Sequence, residues 1–308
     1  MSLFAIKGSL ELGLIYGFMA LGVFLSFRTL NMPDLTVDSS FTLGASVSAM
    51  LCWTGHPVIG ILLALLAGGS AGLITGLLHT KLKIQPLLSG ILTMLGLYSV
   101  NLRVLGNCAN LPLLNHTTVF HNKLTPVLGN YFALTLASLL IIMAIMLLLF
   151  FLKTRLGFVL RATGDNPQMV RAYGANTDKM ILIGMALSNS LVGFSGALIA
   201  QYQLFADISM GIGMVIIGLA SVIIGEVVFG ISSLWRRLLA VVTGSVLYRF
   251  ILTIAINLGM PANDFKLVSA VIVALALAAP AVTAHFYNYQ TKKRHKKLTR
   301  EDEHGADH

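Results

Sequence analysis

Charged residues are scarce in this sequence of 308 residues: only 11% are Asp, Glu, Lys or Arg, whereas 56% are hydrophobic. Soluble domains carry about 25% charged residues. The composition therefore excludes an ordinary soluble domain and predicts an integral membrane protein. The net charge of +9 is concentrated in loops and in the C-terminal tail. Membrane topology accounts for this distribution, so no nucleic-acid partner is expected.

Motifs for several kinds of chemistry are also missing. The sequence has no Gly-rich phosphate loop of the form G-x-x-x-x-G-K-[ST], so it does not bind and hydrolyse ATP by that route. Its eight His residues form no H-E-x-x-H pattern, and no metal site is expected. Two cysteines, Cys52 and Cys108, lack metal-ligand spacing. We expect two free thiols, with a disulfide as the alternative, and no covalent catalysis.

Apolar stretches divide the chain into about nine candidate membrane spans. Two are short for a hydrocarbon core of about 30 Å, so broken or re-entrant helices are expected and eight to ten spans fit the pattern. The stretches cover residues 9–27, 40–54, 57–78, 86–100, 131–152, 180–203, 211–230, 238–256 and 266–287. The predicted fold is an all-α polytopic membrane protein, with one membrane domain over 1–290 and a basic, polar tail over 291–308.

Lys and Arg residues favour one side of these spans. If residues 153–179 are cytoplasmic, sixteen basic residues lie on the cytoplasmic side, and only Lys7, Arg103, Lys123 and Lys266 lie on the other. The positive-inside rule then places the N-terminus outside and the C-terminus in the cytoplasm. No small-residue cleavage site follows the first span, which predicts a retained helix.

A polar segment, residues 153–179, interrupts the apolar sequence. Residues 165–167 (Asp-Asn-Pro) predict a helix start, because an Asx residue caps free backbone N–H groups and proline suits the first helical position. Gly174 predicts the end of this helix after about two turns.

On that short helix, Met169, Val170 and Tyr173 would share one apolar face. A helix of two turns in an aqueous loop has no core in which to bury three apolar side chains. The face therefore requires a partner.

Two Asp-containing segments suggest a weak internal repeat. The first span leads into Asp34-Leu-Thr and the sixth into Asp207-Ile-Ser, and each is followed by a Gly-containing helix. Because they are five spans apart, the two units would have opposite orientations, as in transporters with inverted repeats. A chance resemblance between helices rich in Gly, Ala and Ser explains the match equally well.

Polar side chains within or beside the spans are candidates for lining a pathway, because charged groups in lipid are costly. The candidates are Asp34, Asp38, Ser39, Asn189, Gln201 and Glu226. For Asp34, a pathway segment and an ordinary capped loop are equally good interpretations. For Asp38 we favour a helix cap.

The remaining candidates have structural alternatives that we prefer. Asn189 and Gln201 are expected to form interhelical hydrogen bonds. Glu226 is expected to pair with Arg236 or Arg237 near the cytoplasmic face.

The polar segment resembles the cytoplasmic coupling segment of ABC-importer permeases of the branched-chain amino acid and ribose type. That family has the pattern G-x-x-x-R-A-x-G-x-N-x-x-A-A-x-x-x-G-I. Matching residues are Arg161, Ala162, Gly164, Asn166 and Gly174. Met169 and Val170 replace the alanine pair of the pattern, and Ala175 replaces its isoleucine.

Residues 34–45, 191–198 and 218–225 are similar to further blocks of this family, whereas Glu226 stands where a glycine is common. The resemblance implies a type II-like importer permease whose short helix docks on a separate ATPase. The residues implied in this coupling are Arg161, Gly164, Asp165, Asn166, Pro167, Met169, Val170, Arg171, Tyr173 and Gly174.

Several partners follow from the same resemblance. It implies cytoplasmic ABC ATPase subunits that bind ATP and Mg²⁺, a second permease subunit in a homodimer, and an external solute-binding protein. It also implies the bacterial inner membrane, no cofactor on this chain, and import of a small solute. Amino acids, aromatic ones included, are the favoured substrates. The alternative is a self-sufficient, ion-coupled secondary transporter that uses Asp34, Asp38 and Glu226 as ion sites.

Overall fold

The computed structural model describes residues 3–121, 131–230 and 232–258, together with five helical positions between 267 and 274. About 80% of this part of the chain is helical, which confirms the prediction of an all-α fold. In chain order the helices are α1 (Leu3–Val23), α2 (Thr36–Trp53), α3 (Pro57–Thr80), α4 (Pro86–Val104), α5 (Phe132–Lys153), α6 (Arg155–Asp165), α7 (Pro167–Ala172), α8 (Thr177–Gln203), α9 (Met214–Phe229) and α10 (Leu234–Asn257). A π-helical turn, Phe24–Thr29, continues α1.

Six helices in the described part of the chain are long and apolar enough to cross a membrane. They are α1 with its π-helical turn, α3, α4, α5, α8 and α10. Helix α9 is a shorter apolar helix, and α2 contains many Ser and Thr residues. The ninth expected span, residues 266–287, lies almost entirely outside the described residues, so the count of nine stays a prediction.

Helix α8 packs against α1, α2 and α3 through positions with no side chain. A Cβ atom at Gly72 of α3 would collide with the carbonyl oxygen of Met185, and one at Gly44 of α2 would collide with the backbone of Gly193. Small residues let membrane helices approach closely enough for backbone contact. The glycines of this sequence therefore hold the bundle together where lipid supplies no hydrophobic driving force between helices.

Helix α1 supplies much of the buried core. The side chains of Ile15, Phe18 and Met19 are essentially inaccessible. In contrast, α5 exposes large apolar side chains such as Leu139 and Phe150 along its length. This division is expected for a bundle whose outer helices face lipid.

The chain leaves regular helix at two related places. After the π-helical turn, residues 30–35 lead into α2, and the Asp34 carboxylate accepts a hydrogen bond from the Thr36 N–H at 2.9 Å. After α8, the strand β2 (Phe205–Asp207) leads towards α9, and the Asp207 carboxylate accepts from the Ser209 N–H at 2.8 Å. The two segments of the suggested repeat thus make the same local turn before a helix. Their opposite orientation stays a prediction.

Strand β2 pairs in antiparallel fashion with β1 (Asn110–Pro112), which follows α4. The pairing places Asn110 opposite Asp207. It joins the loop after α4 to the loop after α8, so a small two-stranded sheet lies at one end of the bundle.

Candidate functional site

The polar segment 153–179 folds into two consecutive helices, α6 and α7, between α5 and α8. The predicted start of the short helix is confirmed: Asn166 is its N-cap, its side chain accepts a hydrogen bond from the Met169 N–H at 3.0 Å, and Pro167 begins α7. Gly174 follows the helix at φ 80°, a left-handed conformation that favours glycine. Asp165 ends α6 rather than capping α7.

Helix α6 was not expected, and it anchors the segment to the bundle. Its buried face includes Gly157, Leu160 and Thr163. A Cβ atom at Gly164 would collide with the carbonyl oxygen of Thr29 at the end of the π-helical turn. The glycine of the sequence motif is therefore required for close approach of α6 to the end of α1.

The three apolar residues of α7 do not share one exposed face. Tyr173, just past the helix, is 84% exposed and Met169 is 46% exposed, whereas Val170 is only 4% exposed. The prediction that all three await a partner is wrong for Val170. Since α7 lies against the bundle and does not project freely into water, the bundle itself covers this residue.

The two arginines of the segment have different environments. Arg171 donates from Nε to the Thr177 hydroxyl at 2.7 Å, and its Nη2 lies 3.5 Å from the Asp178 carboxylate. Arg161 is partly buried, and its buried Nε has no hydrogen-bond partner among the described residues. Its guanidinium lies 5.7 Å from the centre of the Phe158 ring. Arg171 thus ties α7 to α8, while Arg161 lines a cavity together with residues from the end of α1 and the start of α10.

The buried pathway candidate Asp34 belongs to a polar cluster between α2 and α8. Asn189 donates from Nδ2 to the Asp34 carboxylate at 2.7 Å, and the Ser40 hydroxyl donates to the Asn189 side-chain oxygen at 2.6 Å. All three side chains are inaccessible to solvent. Asp34 forms the local turn of the capped-loop interpretation, with its carboxylate accepting from the Thr36 N–H, and its role in a pathway stays a prediction. Asn189 makes the interhelical bonds expected of it.

Asp38 is a cap, as predicted, but it caps a different helix. Its two carboxylate oxygens accept hydrogen bonds from the backbone N–H groups of Gly213 and Val215, each at 2.9 Å. These are free donors at the N-terminus of α9. A carboxylate there is also favoured by the helix dipole. Asp38 therefore fastens α9 to α2.

Two further candidates are used for helix packing. The Ser39 hydroxyl donates to the carbonyl of Met94 in α4 at 3.0 Å. Gln201 donates to the Ser48 hydroxyl and to the Pro57 carbonyl, both at 2.9 Å, and accepts from the Val119 N–H at 2.8 Å. Both residues thus satisfy backbone or side-chain groups of neighbouring elements.

Glu226 forms an ion pair, but the predicted partner is wrong. Its carboxylate accepts a hydrogen bond from Arg28, which lies at the end of the π-helical turn, whereas the prediction was Arg236 or Arg237. Proximity in sequence favoured the two arginines of α10. The packing of α9 beside α1 brings Arg28 closer.

A chain of buried threonines was missed in the sequence. The hydroxyls of Thr36 and Thr75 lie 2.7 Å apart, and Thr75 in turn donates to Thr93 at 2.9 Å. The three residues join α2, α3 and α4. No sequence spacing marks them, because the contacts depend on how three helices pack.

The residues from Gly68 to Gly72 spell G-x-S-x-G, a pattern also found at hydrolase nucleophiles. Here the pattern lies within helix α3, whereas the nucleophile of those enzymes needs a strand-to-helix turn. The Ser70 hydroxyl donates to the Ala67 carbonyl at 2.7 Å. The motif is therefore a helix-packing feature.

The two cysteines are free thiols in the structure: Cys52 is buried and Cys108 is exposed. Within the described ranges, no group of three or more His, Cys, Asp or Glu side chains is arranged to hold a metal ion.

Comparison with known protein families gives a match over residues 5–278 to the family described as branched-chain amino acid transport system / permease component. The tyrosine transport system permease protein of Clostridioides difficile is 40% identical over 286 residues, with 92% of each chain covered. An uncharacterised protein of Rickettsia prowazekii is 31% identical, covering 88% of this chain and 96% of that protein.

A third relative is the autoinducer 2 import system permease protein LsrC of Yersinia enterocolitica. It is 30% identical over 261 residues, which cover 80% of this chain and 67% of that protein. No solved structure matches the chain significantly.

Proposed function

Because the chain belongs to the family of permease components of branched-chain amino acid transport systems, we propose that it forms the translocation pathway of an ATP-driven importer and that α7 couples it to a separate ATPase. The chain is a transport subunit, and ATP with Mg²⁺ would bind to the partner. Movement of the ATPase would be transmitted through α7 to the bundle, which would alternate between outward- and inward-facing states.

The observation that carries this proposal is that α7 exposes apolar side chains on one side and is attached to the bundle on the other. Met169 and Tyr173 offer apolar surface that the described part of the chain leaves exposed. Directly behind them, Val170 is buried and Arg171 is bonded to the start of α8. A helix held this way would move together with α8 when a partner pulls on it.

The anchor continues from α6 to the centre of the bundle. Gly164 lets α6 touch the end of α1, and the Arg28 of that same end is paired with Glu226 of α9. Displacement of the segment 153–179 would therefore act on α1, α8 and α9 together. Packed helices have few alternative arrangements, so such a displacement favours a switch between discrete states.

We propose an amino acid as the substrate, with aromatic amino acids the first to test. Support comes from the relative named as a tyrosine transport permease, which aligns over nearly the whole chain. Another relative is named for autoinducer 2 import, so a screen must include ligands other than amino acids.

The remaining assignments follow from the same proposal. The N-terminus would lie outside and the C-terminus in the cytoplasm of a bacterial inner membrane. Two copies would form the pathway, and an external solute-binding protein would deliver the substrate. The loops joined by β1 and β2 lie at the end of the bundle opposite α7 and are the natural surface for that delivery.

A self-sufficient ion-coupled carrier is the weaker candidate. It would need carboxylates free to take up and release an ion. Asp34, Asp38 and Glu226 are instead engaged with Asn189, with the start of α9 and with Arg28, respectively.

Co-purification tests the proposal. An ABC ATPase co-expressed as the partner is expected to co-purify with the wild-type protein and to be lost from the variant carrying Met169→Asp with Tyr173→Asp. Leu82→Asp, which places a charge on another exposed apolar side chain at the same end of the bundle, is the matched control and should retain the ATPase. Retention by the double variant would overturn the docking assignment.

A further inference from the structure

A polar cavity with a volume of about 340 Å³ lies where the end of α1, helix α6 and the start of α10 meet. Three arginines from these three elements line it: Arg28, Arg161 and Arg237. Among the described residues that line it, Asp165 is the single carboxylate. Three cations and one anion give the lining a net charge of +2, and Glu226 beside Arg28 lowers this to +1.

The donors in this cavity are not fully used by the described part of the chain. Arg161 has a buried Nε without a hydrogen-bond partner. Arg28 donates from Nη2 to Glu226, and its guanidinium carries further N–H groups. A buried donor that is left without an acceptor is unfavourable. An anion entering the cavity would supply the missing acceptor.

The start of α10 adds to the same cavity. Ser232, Ser233 and Leu234 form part of its lining, and the N-cap Ser233 makes no side-chain cap bond. The first backbone N–H groups of this helix of 24 residues therefore have no side-chain acceptor from their cap. Guanidinium groups together with a helix N-terminus are a combination suited to phosphate.

The surroundings of the cavity indicate where a phosphate could come from. Trp235, which follows the lining residue Leu234 in α10, is an exposed apolar side chain, and Val228 and Phe229 at the end of α9 are exposed as well. Trp is enriched at the boundary between lipid tails and headgroups. Basic pockets between membrane helices on the cytoplasmic side are suited to anionic headgroups.

We propose that this cavity is a binding site for a phosphate group, filled by the headgroup of an anionic phospholipid of the cytoplasmic leaflet. The headgroup phosphate would be held by Arg161 and Arg237, and the acyl chains would lie along the exposed apolar side chains of α9 and α10. The lipid would join α6 to α10, so it would stabilise the coupling segment against the bundle.

Thermal unfolding of the purified full-length protein in detergent tests this. Phosphatidylglycerol is expected to raise the melting temperature of the wild type, and phosphatidylcholine is not. The combined Arg161→Gln and Arg237→Gln variant should lose this rise. Arg155→Gln, which removes an exposed arginine from the same helix α6, should keep it.

Native mass spectrometry provides a readout that does not depend on the stability of the variants. The wild type is expected to retain phosphatidylglycerol at least tenfold more often than the double variant does. If inorganic phosphate at millimolar concentration displaces the lipid, the site recognises the phosphate itself. If inorganic phosphate raises the melting temperature and phosphatidylglycerol does not, the ligand is a soluble phosphate compound and the assignment to a lipid is wrong.

Three results would overturn the proposal. The first is equal stabilisation of the wild type by phosphatidylglycerol and phosphatidylcholine. The second is equal loss of the lipid effect in Arg155→Gln, because that would indicate general attraction of a basic surface. The third is stabilisation by an acidic ATPase subunit and by neither lipid, which would assign the arginines to a protein contact.

Discussion

Neighbouring residues of α7 should respond to mutation in opposite ways, because one faces inwards and two face outwards. Complete burial of a large apolar side chain contributes about 1.5–3 kcal/mol. Scaled by the exposed fractions of 84% and 46%, burial against a partner is worth about 2 kcal/mol for Tyr173 and about 1 kcal/mol for Met169. Replacement by Ala should therefore weaken ATPase binding about 30-fold and about 5-fold, respectively.

Val170 should behave differently although it lies next to Met169. It is already buried within the chain, so Val170→Ala removes two methyl groups from the interior. This should destabilise the permease by about 2 kcal/mol, including the cavity left behind. The affinity for the ATPase should change little.

Two measurements on each purified variant separate these outcomes. The dissociation constant for the ATPase is obtained by biolayer interferometry, and the melting temperature by thermal unfolding in the same detergent. Tyr173→Ala should raise the dissociation constant and leave the melting temperature unchanged. Val170→Ala should lower the melting temperature and leave the dissociation constant unchanged. If Val170→Ala weakened binding more than Tyr173→Ala and left the melting temperature unchanged, Val170 would face outwards and this orientation of α7 would be wrong.

The Asp38 cap, the Arg28–Glu226 ion pair and the two cysteines can each be tested by a single measurement. Asp38→Ala leaves two N–H groups at the start of α9 without their acceptor. It should lower the free energy of unfolding by about 3 kcal/mol. An unchanged unfolding curve would contradict the role of Asp38 as a cap. The double variant Arg28→Gln with Glu226→Gln should lose less free energy of unfolding than the two single variants lose in sum, and the difference should be about 1 kcal/mol. Strictly additive losses would argue against the ion pair. A membrane-impermeant maleimide on intact cells should label the exposed Cys108 and not the buried Cys52, and labelling of Cys108 only in inverted vesicles would reverse the proposed topology.

Several features of the site could be read from residue types. The Asn166 cap, the Pro167 start and the Gly174 end of α7 are local, because each depends on the backbone within a few residues. Gly164 could be recognised from the sequence as a position of the motif. The reason that a glycine is needed there, its contact with Thr29, could not be recognised from the sequence.

The errors concern contacts between distant segments. Glu226 pairs with Arg28, 198 positions away, although two arginines lie nearer in sequence. Val170 is buried although its neighbours on α7 are exposed. Both outcomes depend on which surface of another helix lies opposite, and no periodicity within one helix records that.

The amino-acid sequence by itself determined that the protein is helical and membrane-embedded, because composition and apolar runs reflect the solvent around each segment. It also determined the caps of α7, since capping is a matter of local backbone hydrogen bonds. Only the tertiary structure decided that Asp38 caps α9, that Val170 is interior, and that Arg28, Arg161 and Arg237 surround one cavity. These contacts join residues of separate helices, and close packing through glycine positions sets which of them meet.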